Sequence, residues 1–349
     1  MTPTQPQITL SRSALVGNLR HAKDTFAPQG VLMMAVKSNA YGHGDELVVP
    51  VALDSGVDEL AVLDIPTALR LRPIAPNTPL FAWLLSPADD FAAAAEAQIE
   101  LGVSTLWQLD AMEAAAASQP LTIHLKIDTG LHRNGATWEE WPALVARAAE
   151  LSTASVVSVR GVWSHLADTS IETSRAALQK LQDAVDSARD AGLRPDTIHL
   201  AASHAAVELP EARLDLVRLG ILAYGVSPFD DHSASDLGFA PVLTFSAPVL
   251  SISDSELTLG VGFDHGLLRP LEQATVTLGG DDFTLVEMGA ESSTWRAQGS
   301  APRYSPGDQV ALFGADAAVS IEEWATWCHT IGDEVLAKLS SSLPRTLVD

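Results

Sequence analysis

The alternation that decides the fold begins with VLMMAVKSNAYGHGDEL, residues 31–47, where an apolar run ends at one cation, Lys37, before a polar turn bracketed by glycines. A short apolar run before such a turn favours a buried strand. A lysine ammonium is strongly hydrated and seldom takes such a place for packing alone. We therefore predict a strand that ends at a functional lysine; the alternative is a strand-end lysine that extends its amine into solvent.

From this stretch outward to about residue 226, apolar or β-branched runs alternate with helical patterns such as ETSRAALQKLQDAVDSARDAG. The predicted strands are 31–37, 59–64, 79–85, 99–104, 121–128, 158–166, 197–203 and 214–221. Eight strands that alternate with helices favour a parallel (β/α)8 barrel of the TIM type over a sandwich. An open, doubly wound sheet fits the same pattern.

After the Ser/Asp-rich connector 227–236 the pattern changes to strands separated by short turns, typical of an all-β domain. Ser320 and Glu323 form a capping-box pattern that predicts a helix start in this part. We predict a barrel domain over residues 8–230 and a C-terminal, mostly β domain over 231–349. Residues 1–10 are a candidate extra strand of the second domain.

Charge and cysteine usage exclude several classes of function. A formal charge of −23 leaves no basic patch for nucleic acid. The single cysteine, Cys328, indicates a reducing compartment, and neither a signal peptide nor an apolar run of membrane-spanning length is visible. We expect a cytoplasmic protein without a membrane partner. The histidines do not have metal-ligand spacing, so no metal is expected.

In a parallel barrel the carboxyl ends of the strands form the working face. The unusual residues predicted there are Lys37, Lys126, Asp128, Arg133, His165, Ser203, Arg218, Gly220 and Ile221. Apolar surroundings and nearby cations lower the pKa of a lysine, and a neutral amine can then form a Schiff base. Ser203, Tyr41 and the Gly220–Ile221 backbone could form a nest for a phosphate. Together these features suggest pyridoxal 5'-phosphate, although the residue types alone leave other readings open.

Five ordered stretches along nearly the whole chain resemble the alanine racemase family, which uses pyridoxal 5'-phosphate. They are ITLSRSALVGNLR, AVKSNAYGHG, HLKIDTGLHRNG, GVWSHLAD and LDLVRLGILAYG. The resemblance implies a (β/α)8 barrel with a β domain, a homodimer, and racemisation of a small amino acid, expected to be alanine.

The same resemblance implies the roles of the site residues. Lys37 would bind the cofactor as an aldimine and take the proton on one face of the substrate. Tyr41, Ser203, Gly220 and Ile221 would hold the phosphate, Arg218 would face the ring nitrogen, His165 would lie against the ring, and Arg133 would meet the substrate carboxylate. Lys126 matches a position that is carbamylated in some members.

The chain departs from the family pattern where a proton donor is needed on the second face. The family places there a tyrosine of the partner subunit's β domain, and LGVGFDHGLLR has Phe263 at that position. Phenylalanine exchanges no proton at any pH. An Asn before the phosphate-binding serine is Ala202, and a C-terminal tyrosine falls on Ser341.

Three explanations of Phe263 compete. His265 or Tyr304 supplies the second proton; the cofactor serves one-sided Cα chemistry on another amino acid; or the chain is a degenerate paralogue that binds the cofactor without racemase activity. The sequence favours a racemase and leaves the true substrate open.

Overall fold

A computed structural model describes residues 5–299 and 303–349 of the chain. Residues 1–4, part of the segment expected to add a strand, lie outside the described residues, as do residues 300–302. The chain divides into two compact units. The barrel unit comprises Leu19–Lys37 and Ala52–Gly220, and the β unit comprises the described residues within 1–18, 38–51 and 221–349. The predicted domain boundary at residues 230 and 231 stays a prediction.

The elements are numbered in chain order. The strands are β1 (Gln7–Ser11), β2 (Val31–Ala35), β3 (Glu59–Val62), β4 (Leu80–Ala82), β5 (Ile99–Val103), β6 (Leu121–Lys126), β7 (Val157–Trp163), β8 (Thr197–His199), β9 (Leu216–Leu219), β10 (Leu243–Ile252), β11 (Glu256–Leu259), β12 (Thr275–Leu278), β13 (Asp281–Met288), β14 (Ser293–Ala297), β15 (Gln309–Gly314) and β16 (Arg345–Val348). The helices are α1 (Arg12–Phe26), α2 (Lys37–Tyr41), α3 (Asp45–Asp54), α4 (Ile65–Leu71), α5 (Phe91–Glu96), α6 (Leu106–Ala114), α7 (Trp141–Thr153), α8 (Ile171–Asp190), α9 (Ser203–Glu208), α10 (Ile321–Trp327) and α11 (Gly332–Lys338).

The barrel unit contains a parallel sheet of eight strands in the order β8-β7-β6-β5-β4-β3-β2-β9. The residues around β8 and β9 meet as well, since the Asp215 amide donates to the Ile198 carbonyl at 3.2 Å and the Arg218 amide to the Ala201 carbonyl at 3.1 Å. The sheet therefore closes on itself. The predicted (β/α)8 barrel is confirmed, and the open sheet is excluded.

Strands of the barrel are buried on both faces, as expected for a parallel sheet covered by helices. All four residues of β3 are buried, and Leu80, Phe81 and Ala82 of β4 are fully so. Helix α8 shows the complementary pattern, because its buried residues recur every three or four positions. Ser170 starts this helix by accepting a hydrogen bond from the Thr173 amide.

Three candidate residues lie just beyond the strands in which the sequence placed them. Strand β2 ends at Ala35, and Lys37 begins the turn that follows. Strand β7 ends at Trp163, before His165, and Ser203 starts α9 instead of ending a strand. The last hydrogen bond between neighbouring strands near Lys37 runs from the Val36 amide to the Ala61 carbonyl. From Ser38 onward the backbone has the positive φ of the left-handed region. All three residues therefore lie in the loops where barrels place chemistry.

The β unit contains a sheet in the order β12-β13-β14-β11-β10-β1-β16, with β15 paired to β10. Strand β1 is antiparallel to β10, with Ile8 opposite Phe245, and parallel to β16. Phe245, Phe313, Trp295 and Trp324 fill the core of this unit, with ring centroids 5.2 to 6.3 Å apart. The mostly β second domain is confirmed, and β14 and β16 are strands that the sequence pattern did not predict.

The capping prediction also fits, since Ser320 Oγ accepts from the Glu323 amide at 3.0 Å where α10 begins. No helix in the described part of the chain is long and apolar enough to cross a membrane.

Candidate active site

Most of the predicted site residues lie at the end of the barrel where the carboxyl ends of its strands meet. They are Lys37, Lys126, Arg133, His165, Ser203, Arg218 and Gly220. Tyr41 and Ile221 belong to the β unit. Among the residues of the barrel unit, His165 lies near Arg218 and within electrostatic reach of Lys37, Lys126 and Arg133.

Arg218 is the centre of the cluster and is only 7 % exposed. Its Nη1 donates to His199 Nδ1 at 2.8 Å, and its Nη2 donates to the carbonyls of Ser164 and Leu200, each at 2.8 Å. His165 Nδ1 lies 3.4 Å from Nη2. These acceptors are all uncharged, and no carboxylate of the described residues forms an ion pair with the guanidinium. Burial lowers the pKa of Arg218 to about 9, which leaves it protonated at neutral pH.

His165 lies among cations. Burial lowers the pKa of this imidazole well below its ordinary value, and the charge of Arg218 lowers it further. Arg133, Lys126 and Lys37 act on the pKa in the same direction. His165 is therefore a neutral imidazole at pH 7, within electrostatic reach of the other predicted barrel cations.

Lys126, at the end of β6, lies with its Nζ 4.5 Å from the centroid of the Trp163 ring. Burial, with the charges of Arg218 and Arg133, lowers the pKa of Lys126 to about 8, while Asp128 opposes the shift. A substantial fraction of this amine is therefore neutral at slightly alkaline pH. Both desolvation and repulsion by the two arginines disfavour its ammonium form, and the charged Lys126 therefore destabilises the folded protein.

Replacing Lys126 by methionine should raise the free energy of unfolding at pH 7, by up to about 3 kcal/mol, because the folded state disfavours the ammonium. In the wild-type protein, the destabilisation by charged Lys126 is fully present below pH 8. It decreases as the pH rises from the folded pKa of about 8 toward the unfolded value of 10.5. Denaturant unfolding at pH 7 and at pH 10.5, in CO2-free buffer, measures the difference. The exposed Lys180→Met is the matched control, and a less stable K126M at pH 7 would instead fit a carbamylated lysine.

Ser203 and Gly220 form a second contact at the ends of the barrel strands. The Gly220 amide donates to Ser203 Oγ at 3.0 Å, and Ser203 begins the short helix α9. A hydroxyl and a loop amide are thus held side by side, which is part of the donor nest predicted for a phosphate.

In the β unit, the segment after Lys37 is a turn of left-handed helix. Ser38, Asn39, Ala40 and Tyr41 all have φ between 50° and 56°. This conformation costs L-residues roughly 1–2 kcal/mol each, so other contacts must hold it. His43 supplies one, since its Nδ1 lies 2.9 Å from the Ala40 carbonyl and 3.0 Å from the Tyr41 carbonyl.

Tyr41 is buried in this unit, with its ring 5.2 Å from that of Tyr224. Burial raises the pKa of Tyr41 far above its ordinary value, so the phenol remains protonated and able to donate. Ile221 is also buried and begins a short 3-10 turn that ends at Tyr224.

The sequence did not predict the polar side chains behind Arg218. His199 and His124 are among the histidines without metal-ligand spacing, and both are fully buried and in contact, with Nε2 of His199 2.9 Å from Nδ1 of His124. The sequence does contain an indication of this contact, because His124 and His199 both lie within predicted apolar strands. A charged or imidazole side chain at a central position of an apolar barrel strand needs a partner inside the barrel.

Two family models match the chain, the alanine racemase N-terminal domain over residues 10–228 and the alanine racemase C-terminal domain over residues 252–347. The chain belongs to the alanine racemase family. The curated alanine racemase of Salinispora arenicola is 32 % identical over 98 % of this chain and 98 % of its own length. The predicted membership is confirmed.

Solved structures of the family agree in fold. The alanine racemase of Streptomyces coelicolor superposes with a TM-score of 0.93 at 28 % identity, over 100 % of this chain and 99 % of that one. The alanine racemase from a D-cycloserine producing Streptomyces lavendulae gives a TM-score of 0.91 at 27 % identity, over 100 % and 98 % of the two chains. The similarity therefore extends through both units.

Phe263, at which the resemblance leads us to expect a tyrosine, lies on a short 3-10 turn of the β unit and is 47 % exposed. Its amide donates to the Gly289 carbonyl at 3.1 Å, and the Arg269 guanidinium lies 5.4 Å from its ring. Phe263 and Ser341, the two positions at which the resemblance leads us to expect tyrosines, line the same cavity of about 500 Å³, together with Asn39 and Asp264. Both positions where the sequence departs from the expected tyrosine therefore border one space in the β unit.

The two suggested replacements for the tyrosine differ in position. His265 is on the same turn as Phe263, and its Nδ1 accepts from the Gly262 amide at 3.2 Å, so its proton is on Nε2. Tyr304 lies near the β12–β13 turn, with its ring 6.5 Å from that of Phe283. Residue 263 meets the opposite end of β13, near Gly289. His265 is therefore the donor candidate near residue 263, and Tyr304 is at the far end of that strand.

Proposed function

We propose that this chain is a pyridoxal-phosphate-dependent alanine racemase that interconverts L- and D-alanine. The family membership supports the reaction type and the cofactor. We further propose that the chain acts as a cytoplasmic homodimer, in which the β domain of each subunit covers the barrel mouth of its neighbour. The single cysteine fits a reducing compartment.

The observation that carries the proposal is the setting of Arg218. Burying a guanidinium that has only neutral acceptors destabilises the folded barrel, so such a group is unusual unless it binds a ligand. The amine of Lys37 acts electrostatically on His165, and so does the charge of Arg218. An amine, a guanidinium and a hydroxyl–amide pair at one end of a barrel match the aldehyde, ring nitrogen and phosphate of pyridoxal phosphate.

When bound, pyridoxal phosphate withdraws electrons from Cα of an amino acid and makes its proton removable. Lys37 would hold the cofactor and accept that proton on one face of Cα. Arg218 would lie against the ring nitrogen and, because a guanidinium keeps its proton, would leave that nitrogen unprotonated. Less charge is then drawn into the ring, and rapid return of a proton to Cα favours racemisation over transamination.

The remaining residues would bind and orient. Ser203 and Gly220 would hold the phosphate, and the family pattern assigns Tyr41 and Ile221 to the same group. His165, neutral at pH 7, would lie against the ring without adding charge. The exposed guanidinium of Arg133 would meet the substrate carboxylate.

The decisive experiment is hydrogen exchange in deuterium oxide. The purified, cofactor-loaded protein is incubated with L-alanine, and mass spectrometry and chiral chromatography follow deuterium at Cα and the formation of D-alanine. Deuterated D-alanine is the result expected of a racemase. No exchange with alanine, from a protein that holds the cofactor, would contradict the proposal.

A second function is favoured by Phe263. If no group replaces the family's tyrosine, the chain could exchange the Cα proton only from the Lys37 face, or bind the cofactor without turnover. Deuterated L-alanine without D-alanine would indicate one-sided chemistry. No exchange with any amino acid tried would indicate a cofactor-binding paralogue.

A further inference from the structure

A continuous row of hydrogen-bonded side chains leads from Arg218 into the interior of the barrel unit. Arg218 Nη1 meets His199 Nδ1 at 2.8 Å, and His199 Nε2 meets His124 Nδ1 at 2.9 Å. His124 Nε2 then meets Glu100 Oε2, also at 2.9 Å. Glu100 accepts from Arg160 Nη1 at 2.6 Å, and the other Nη of Arg160 donates to Glu59. The row joins residues of β9, β8, β6, β5, β7 and β3.

The donors and acceptors of this row can be arranged in only one way. A guanidinium has donors only, so His199 Nδ1 must be an acceptor and the His199 proton must be on Nε2. That proton points to His124 Nδ1, which is then an acceptor, so the His124 proton is also on Nε2. His124 donates it to the carboxylate of Glu100. Both imidazoles are therefore neutral, and every hydrogen bond from Arg218 to Glu100 runs in the same direction.

Charge in the row is balanced. Arg218 and Arg160 carry one positive charge each, Glu100 and Glu59 carry one negative charge each, and the two imidazoles between them carry none. Within the row, the positive charge of Arg218 is thus compensated across two neutral rings, and Asp168, outside the row, also acts on it electrostatically. A carboxylate directly beside Arg218 would compensate it more strongly but would also occupy the donors that hold its orientation.

Aromatic packing fixes the two imidazoles. The Trp163 ring is stacked parallel to that of His199, with centroids 5.5 Å apart and planes 2° from parallel. Phe81 packs against both, at 5.0 Å from His124 and 5.7 Å from His199. Neither ring can turn to exchange its nitrogens without displacing these neighbours.

We propose that His199, His124 and Glu100 are positioning residues for Arg218, which they hold oriented and charged through two neutral imidazoles that each carry the proton on Nε2. The consequence for the cofactor rests on the proposed function. The protonation pattern itself does not, because it follows from contacts within the barrel.

The first test is ¹⁵N NMR of the histidine side chains in the full-length protein without cofactor, labelled with ¹⁵N-histidine. The spectra of His124→Phe and His199→Asn assign the two residues by their missing signals. We expect each imidazole to carry one proton, on Nε2. A proton on Nδ1 of either residue, or on both nitrogens, would overturn the inference.

The second test is the affinity for pyridoxal phosphate in variants of the row. His124→Phe leaves the His199 Nε2 proton without an acceptor, so the His199 ring is no longer held from that side and orients Arg218 less firmly. The dissociation constant for the cofactor should rise about tenfold, the effect of losing one hydrogen bond to a charged group. The ¹⁵N signal of His199 Nε2 should shift, because its proton loses its acceptor. His232→Phe, at an exposed histidine, is the matched control.

Glu100→Gln provides an independent variant should His124→Phe fail to fold. It keeps an oxygen for His124 and Arg160 while removing the charge, and we expect a smaller rise of the dissociation constant. Glu113→Gln, which removes a carboxylate from the exposed ion pairs of Arg147, is its control. Unchanged affinity in H124F, with an unchanged ¹⁵N signal of His199 Nε2, would overturn the positioning role. A wild-type protein that takes up no cofactor would overturn the proposed function and leave the NMR result to decide the proton positions.

Discussion

Replacing Lys37 by alanine is expected to lower D-alanine formation by about 10⁴-fold, because the chain loses both its attachment point and the proton acceptor on one face of Cα. The yellow colour of the purified protein should disappear with it. Absorbance before and after borohydride reduction measures the attachment, and chiral chromatography measures the product. In the wild-type protein, reduction should fix the cofactor to the peptide that contains Lys37.

Lys180→Ala, an exposed lysine of α8, is the control for the loss of one cation, and it should keep colour and activity. A K37A protein that remained yellow and reducible would show that another amine binds the aldehyde. The assignment of the site to the end of β2 would then be wrong, even if the chain proved to be a racemase.

Replacing Phe263 by tyrosine should raise D-alanine formation by about 10²- to 10⁴-fold if the missing hydroxyl limits the reaction, the usual range for one positioned acid or base. The turn should accept the change, because residue 263 is 47 % exposed and is held by its backbone amide on Gly289. Steady-state rates in both directions and deuterium exchange measure the effect. Phe263→Leu, which removes the ring without adding a hydroxyl, is the control.

Equal rates in the wild type and F263Y would show that residue 263 does not face the substrate, or that another donor already acts. His265→Asn separates these two outcomes. The asparagine oxygen can take over the hydrogen bond from the Gly262 amide while the acidic proton of the imidazole is lost. A large loss of D-alanine formation in H265N, with deuterium exchange retained, would identify His265 as the second donor.

The barrel and the main site residues could be predicted because they depend on local patterns. Apolar runs that alternate with helices show the strands, and Lys37, His165 and Ser203 stand at their ends. The predicted strands extend two to four residues too far in these places, since the backbone turns after Ala35 and Trp163 without a change in apolar character. The left-handed φ values at Ser38 to Tyr41 could not be predicted, because none of these four residues is a glycine.

The row behind Arg218 could not be predicted because its members are far apart in sequence. His124 and His199 are 75 residues apart, and their contact depends on the registration of strands across the barrel. Strand β16 was missed for a similar reason, since it is recognised by its pairing with β1 at the other end of the chain. Partners of this kind become visible only when the sheet is assembled.

The turn that follows Lys37 contacts residues about 300 positions later in the chain. A side chain at Gly42 would come within 2.1 Å of the Leu336 carbonyl, and Arg345 Nε donates to the Gly42 carbonyl at 2.7 Å. A nascent chain on the ribosome therefore has Lys37 long before it has the contacts that support this turn. We expect capture of the vitamin-derived coenzyme to wait until Leu336 and Arg345 have been made and folded onto this turn, and replacement of Arg345 by alanine to impair it.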